Sequence, residues 1–236
     1  MKGNEFRVFI FTMEEELNFA GHPVIGAAVV LHSSRSPEKK QEDWVFRLNT
    51  KSVAIRTVHH NHHYSASMNQ GKAEFATILS KEQEVLFLGY LNLGIDDKYD
   101  NLPFQVISTG LPYLVLPIRE SSLSLVKVTI PNLEEKLLEI GAKFFYVPSI
   151  ESFQGRTWDN AGLVEDIATG SAAGPVGAYL VTNGFAKTDT TIILRQGDFL
   201  DRPSNMKVVV ESNGDIIVEG DVCKIAEGEL FYNNKP

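Results

Sequence analysis

Cysteine is almost absent from this sequence. The single Cys223 excludes an internal disulfide, and it excludes an acid/base pair built from two thiols. No apolar run is long enough to span a bilayer. The N-terminal MKGNEFRVF is charged and carries no apolar signal stretch, so a cytoplasmic protein is expected, with no membrane partner. Positive charge is in deficit: 22 Lys and Arg stand against 30 Asp and Glu, a net charge of -8. That argues against nucleic-acid binding by bulk electrostatics, and leaves open a locally positive pocket for a small anion. Neither a G-x-x-x-x-G-K-[ST] phosphate loop nor a G-x-G-x-x-G turn after a strand occurs, so no nucleotide cofactor is indicated.

What is present is a core-forming chain, 43% hydrophobic over 236 residues, enough for one large domain or two small ones. Phe6, Val8 and Ile10 alternate like a strand, and the acidic turn Glu14-Glu15-Glu16 follows. Residues 19–32, FAGHPVIGAAVVLH, predict a helix with Pro23 in its first turn. Its lack of a polar face predicts burial. Short strands are predicted at 44–48, 53–58, 73–78, 85–88 and 104–106, with a turn at Asn69-Gln70-Gly71. A surface helix is predicted at 131–140. Near the end, Asn213-Gly214 marks a hairpin.

A second small-residue helix is predicted in ATGSAAGPVGAYLV, residues 168–181. Gly21-His22 before Gly26-Ala27-Ala28 resembles Gly170-Ser171 before Gly174 and Gly177-Ala178. This weak internal repeat predicts two similar domains, 1–118 and 119–236, each with a central helix. Helix N-termini offer unpaired N–H groups and partial positive charge, a seat for a carboxylate. Gly21, Gly170 and Ser171 would leave those groups open, although Thr169 or Ser171 could simply cap the second helix. Pro175 predicts that this helix starts a residue or so after Ser171. His22 either passes a proton or only hydrogen-bonds its loop. Of the neighbours Glu165 and Asp166, one is expected to face the cleft. His59 to His63 place two histidines on each strand face, too few for a closed zinc site, so no metal is assigned. Arg202-Pro203-Ser204 either donates to an anion or packs over the second sheet.

These segments taken together resemble the PhzF-like isomerase family of phenazine biosynthesis. Phe11-Thr12 through Glu16-Leu17, Phe19-Ala20-Gly21-His22-Pro23 and Gly26-Ala27-Ala28 look like its FTP–x–x–EL–PFAGHP–x–x–GAA segment. Gly162 to Ala172 look like its G-I-x-EDPATGSA signature, and Ser108-Thr109-Gly110-Leu111-Pro112 and Arg202-Pro203-Ser204 match two further motifs. The resemblance implies an α+β, diaminopimelate-epimerase-like fold: two domains, each an antiparallel curled sheet around a central helix, with the site between them. It implies proton shifts at carbon without a cofactor, a small carboxylate-bearing substrate, and a homodimer. Carried over by position, His22 and Asp166 are catalytic, and Gly21, Gly170 and Ser171 bind substrate. Ile167 and Asn18 depart from the family's prolines. The L-S-E-T-x-F motif with the family's principal acid/base glutamate is absent, so the first domain is expected to be incomplete, with sheet edges and part of the helix starting at His22 exposed. That sets an isomerase against two alternatives: an impaired member that binds a small carboxylate or a protein, and an amino-acid racemase or epimerase.

Overall fold

A computed structural model describes residues 3–11 and 15–229. Thr12 and Glu14 of the first motif lie outside the described residues. In chain order the elements begin β1 (Glu5–Arg7), β2 (Ile10–Phe11), β3 (Glu16–Leu17), α1 (Gly21–Arg35), β4 (Gln41–Arg47), β5 (Ser52–His59), β6 (Tyr64–Lys72), β7 (Glu74–Ile78) and α2 (Lys81–Tyr90). Then come β8 (Gln105–Ser108), β9 (Pro112–Val115), α3 (Leu133–Glu139), β10 (Phe144–Pro148), β11 (Gln154–Arg156), α4 (Gly170–Thr182), β12 (Thr191–Gln196), β13 (Ser204–Val210) and β14 (Asp215–Val222). Twelve strands form one sheet, ordered β1-β4-β5-β6-β14-β13-β12-β11-β10-β9-β8-β7, and β2-β3 form a separate pair.

The sheet is mixed rather than purely antiparallel. β1 with β4, β9 with β10, and β11 with β12 are parallel pairs. A parallel pair needs a crossover longer than a hairpin, and α1, α3 and α4 lie in those three crossovers. The two small-residue helices α1 and α4 are thus also connections that let the strand direction repeat. β7, β8 and β9 fall before 118, yet they pair onward to β10, and α4 packs on β8 and β9. β8 and β9 therefore stand against the second helix, with β7 at the sheet edge beyond them.

Sequence alternation sets which side chains face which layer. On β4 and β5, Trp44, Phe46, Val53 and Ile55 point to α1 and share one core with α4. On β8 to β10 both faces are covered: Ile107, Tyr113 and Tyr146 join that core, while Val106, Leu114 and Phe145 join a second core under α2 and α3. Helix α2 replaces the strand predicted at 85–88. Ser80 accepts from the Gln83 N–H while Gln83 reaches back to the Ser80 N–H, a reciprocal cap that nucleates a helix. The predicted turn at 69–71 is also absent, since β6 runs on to Lys72. Its partner β14 begins at Asp215 just after the predicted Asn213-Gly214 turn. The run of histidines forms the turn from β5 to β6, closed by the His60 N–H donating to His63 O at 2.8 Å.

The two central helices differ in burial. Every residue of α4 from Gly170 to Leu180 is buried. α1 buries Val24, Ile25, Ala28, Val29 and His32, but Val30 is 64% exposed. The burial predicted for α1 holds on one face only, because no described strand covers the other. His32 is accommodated by complete pairing. Its Nε2 donates to Lys39 O at 3.0 Å, so its Nδ1 accepts from Thr57 Oγ1 at 2.8 Å. No helix among the described residues is long and apolar enough to cross a membrane.

A polar chain crosses between the two helix surroundings. Lys51, in the β4–β5 turn, donates to Gln70 O at 2.9 Å and to Thr109 O, and lies 4.2 Å from the Phe19 ring centroid. Thr109 Oγ1 donates to Gln70 Oε1 at 2.7 Å, and Gln70 Nε2 donates to Gly170 O at 2.9 Å. Gly110 has φ +137°, and a Cβ there would stand 2.9 Å from Lys51 Nζ. The Ser108–Pro112 motif is thereby a turn shaped around a half-buried lysine.

Two measurements check this description. A Cβ at Gly26 meets nothing within 4 Å, whereas one at Gly177 would stand 2.6 Å from Val208 Cγ1. In urea unfolding, Gly26→Ala should leave stability unchanged or raise it by up to about 1 kcal/mol, and Gly177→Ala should lower it by about 1–3 kcal/mol. Equal responses would contradict the unequal packing. Burial pushes Lys51 down from 10.5 to about 8, with Glu74 opposing. Between those values the unfolded chain binds more protons than the folded one, so this lysine's contribution to stability rises with pH and is lost as pH falls. Wild type should therefore gain stability relative to Lys51→Met from pH 8 to pH 10.5, read as a widening gap in urea midpoints.

Candidate active site

The site begins with two helix ends that meet. α1 starts after Ala20 and α4 after Thr169, and neither residue caps its helix through a side chain. A Cβ on Gly21 would lie 2.7 Å from Gly170 C and 2.8 Å from Ser171 N. Only glycine permits this backbone approach. Two sets of first-turn N–H groups, and two partial positive charges, are therefore brought together. Like ends repel, and an anion between them relieves the repulsion.

α4 begins at Gly170, earlier than Pro175 suggested. The proline falls inside the second turn and removes one helical hydrogen bond there. The helix nevertheless continues, packed on all sides. Thr169 occupies the cap position, but its hydroxyl is directed elsewhere.

That hydroxyl holds Asp166. Thr169 Oγ1 donates to Asp166 Oδ2 at 2.6 Å. Gln196, fully buried at the end of β12, fixes the direction. Its Nε2 donates to Asp166 O at 2.7 Å and to Thr169 Oγ1 at 3.0 Å, while its Oε1 accepts from Thr169 N at 3.2 Å. A flipped amide would oppose two donors and two acceptors, so the threonine proton must go to the carboxylate. The other oxygen, Oδ1, has only a 3.5 Å contact from Ala168 N. It is the oxygen left to exchange a proton.

Glu165 is committed to a different task. Arg156 grips both its oxygens at 2.7 Å, and Arg156 Nη1 also donates to Leu123 O and Val126 O. The guanidinium lies between the Trp158 and Phe199 rings, at 4.6 and 4.5 Å. Asp159 accepts from the N–H groups of Leu163 and Val164 and so shapes its own loop.

His22, Tyr113, Phe144, Trp158, Asp166 and Ser171 line one cavity of 340 Å³. His22 is exposed at its mouth and also lines a second cavity of 390 Å³, with Gly170, Ser204, Glu219 and Asp221. All five residues singled out from sequence therefore converge: Gly21 against Gly170, and His22, Asp166 and Ser171 around one space. Arg202 takes another course. Its side chain is exposed, and its backbone closes over Gly197, whose φ is +86°. Among the described residues no group of three His, Cys, Asp or Glu could hold a metal ion. Sequence reasoning missed Tyr113 and Gln196. Tyr113 directly follows the Ser108–Pro112 motif, a usable signal; Gln196 had none.

A family model described as phenazine biosynthesis-like protein, PhzC-PhzF, matches residues 1–228. An uncharacterized isomerase of Clostridium acetobutylicum is 30% identical over 247 residues, covering 96% of this chain and 79% of that protein. A trans-2,3-dihydro-3-hydroxyanthranilate isomerase of Pseudomonas chlororaphis is 28% identical over 226 residues, covering 90% of this chain and 73% of that one. The structure of a predicted epimerase from Pseudomonas aeruginosa superposes with a TM-score of 0.93 at 43% identity, covering 98% of this chain and 80% of that one.

The hydrogen-bond accounting around Asp166 has a direct test. Thr169→Val keeps the shape and removes the donor, and should cost about 1–3 kcal/mol of stability by leaving a hydrogen-bonded carboxylate underpaired. Thr169→Ser should restore most of it. If valine and serine behave alike in urea unfolding, the hydroxyl is not holding the carboxylate.

Proposed function

The chain belongs to the phenazine biosynthesis-like (PhzC-PhzF) family, and on that premise we propose that it is a cofactor-independent isomerase acting on a small carboxylate-bearing substrate. The observation that carries this reading is the meeting of two helix starts, uncapped by side chains, beside Asp166 and His22. The substrate carboxylate sits against Gly21, Gly170 and Ser171, where backbone N–H groups and the Ser171 hydroxyl donate to it. The carbon next to the carboxylate then lies in the cavity with Asp166 Oδ1. Asp166 takes a proton from that carbon, and the C–H electron pair spreads toward the carboxylate. The proton returns from Asp166 or His22 to another carbon, which moves a double bond. General acid–base catalysis of this kind contributes about 10²–10⁴-fold.

A second outcome of the same chemistry is return of the proton to the same carbon with inversion. The 43% identity to a predicted epimerase favours keeping it in view. This reading also takes the molecule as two similar halves, the first incomplete, working as a homodimer in the cytoplasm. The exposed apolar face of α1 around Val30 supports it, and β7 to β9 then group with the second helix.

The test is deuterium incorporation at carbon in D₂O, followed by NMR. Trans-2,3-dihydro-3-hydroxyanthranilate and a panel of amino acids serve as substrates. Wild type should incorporate deuterium into at least one of them, with a moved double bond for an isomerase or inversion alone for an epimerase. Asp166→Asn should slow this by about 10²–10⁴-fold. Binding of these carboxylates with no incorporation would make the chain a binding protein and end the isomerase reading.

A further inference from the structure

Tyr113 points from β9 into the shared core, is 3% exposed, and stacks on Phe144 with ring centroids 5.3 Å apart. Its phenol oxygen is 2.7 Å from Ser171 Oγ. Burial, with Asp166 adding to it and Ser171 opposing, pushes the phenol well above the ordinary tyrosine range. Near neutral pH it is therefore a neutral hydroxyl able to donate a hydrogen bond.

Each hydroxyl of this pair has one proton and can also accept. With no ligand, either can donate to the other. An anion at the helix starts removes that freedom: the serine proton turns to the anion, and the serine oxygen then needs a donor behind it. Tyr113 is within reach and 3% exposed, so water is poorly placed to substitute. We propose that Tyr113 is a positioning residue for the carboxylate seat, donating to Ser171 Oγ and thereby directing the serine proton to the ligand. This rests on the reading of Gly170 and Ser171 as that seat. Two donors in series polarise one another. Their effect is largest when a C–H bond breaks, its proton goes to Asp166 Oδ1 and its electron pair moves onto the carboxylate oxygens. Donors aimed at the place where charge develops stabilise that state most.

The experiment uses benzoate as the probe, with calorimetric binding to wild type, Tyr113→Phe, Ser171→Ala and the double variant. Tyr113→Phe preserves the ring on Phe144. It should weaken benzoate by about 3- to 10-fold, the worth of one hydrogen bond. In the Ser171→Ala background the same change should have no further effect, because Tyr113 acts through the serine. A second readout covers any folding defect: 3-fluorotyrosine at position 113 should show a ¹⁹F shift on benzoate addition that Ser171→Ala abolishes. Independent losses from the two substitutions, an unchanged Tyr113→Phe, or failure of wild type to bind benzoate would overturn the proposal. If benzoate coupling is seen but no deuterium exchange occurs, Tyr113's role stands and the isomerase reading falls.

Discussion

The contact between Gly21 and Gly170 is the constraint on which the rest of the site depends. It puts backbone against backbone at the starts of two helices, where a single methyl group would force them apart. The arrangement brings two partial positive charges together, a repulsion that an anion between them would offset. It is held from both flanks by groups that do not themselves enter the cavity. On one flank Lys51, Thr109 and Gln70 form a chain that ends on the Gly170 carbonyl. On the other, Gln196 fastens the loop carrying Asp166 by its backbone at both ends. A site assembled on rigid elements in this way can hold a ligand within a fraction of an ångström, which proton transfer at carbon requires.

Two adjacent carboxylates show how placement separates roles. Glu165 and Asp166 are neighbours in the chain. Glu165 turns to a guanidinium clamped by two aromatic rings and two carbonyls, and fixes the loop. Asp166 turns to the cavity with one oxygen tied and the other open. The first makes the aim of the second reproducible.

Much of this was legible in the sequence, for physical reasons that can be named. Gly21, Gly170 and Ser171 were visible as candidates because small residues at a helix start leave its N–H groups open, and Asp166 because it precedes such a start, while the family resemblance chose the binding reading over a plain cap. The two central helices were visible from composition alone. What failed were matters decided by neighbours. The 85–88 run reads as a strand until Ser80 and Gln83 are seen as a reciprocal cap. Pro175 argues for a later helix start until packing around α4 outweighs one lost hydrogen bond. The burial of α1 depends on what covers its outer face. Thr169 looked like a cap, and only the distant Gln196 redirects it. Lys51, Tyr113 and Gln196 come from three separate turns and strands, and no local pattern announces that each is tied to the surroundings of the α4 start.

The antiparallel pairing of β6 with β14 joins residues 64–72 to residues 215–222, with one register shift between Asp215 and Ile217. The sheet that carries α1 is thus completed by a strand from the far end of the chain. During synthesis, the first helix and its strands emerge long before the strand that flanks them, and non-local pairing of this kind is slow. The folding of residues 64–72 and that of residues 215–222 are therefore coupled. Among the described residues, the sheet beside α1 is complete only once β14 has paired with β6.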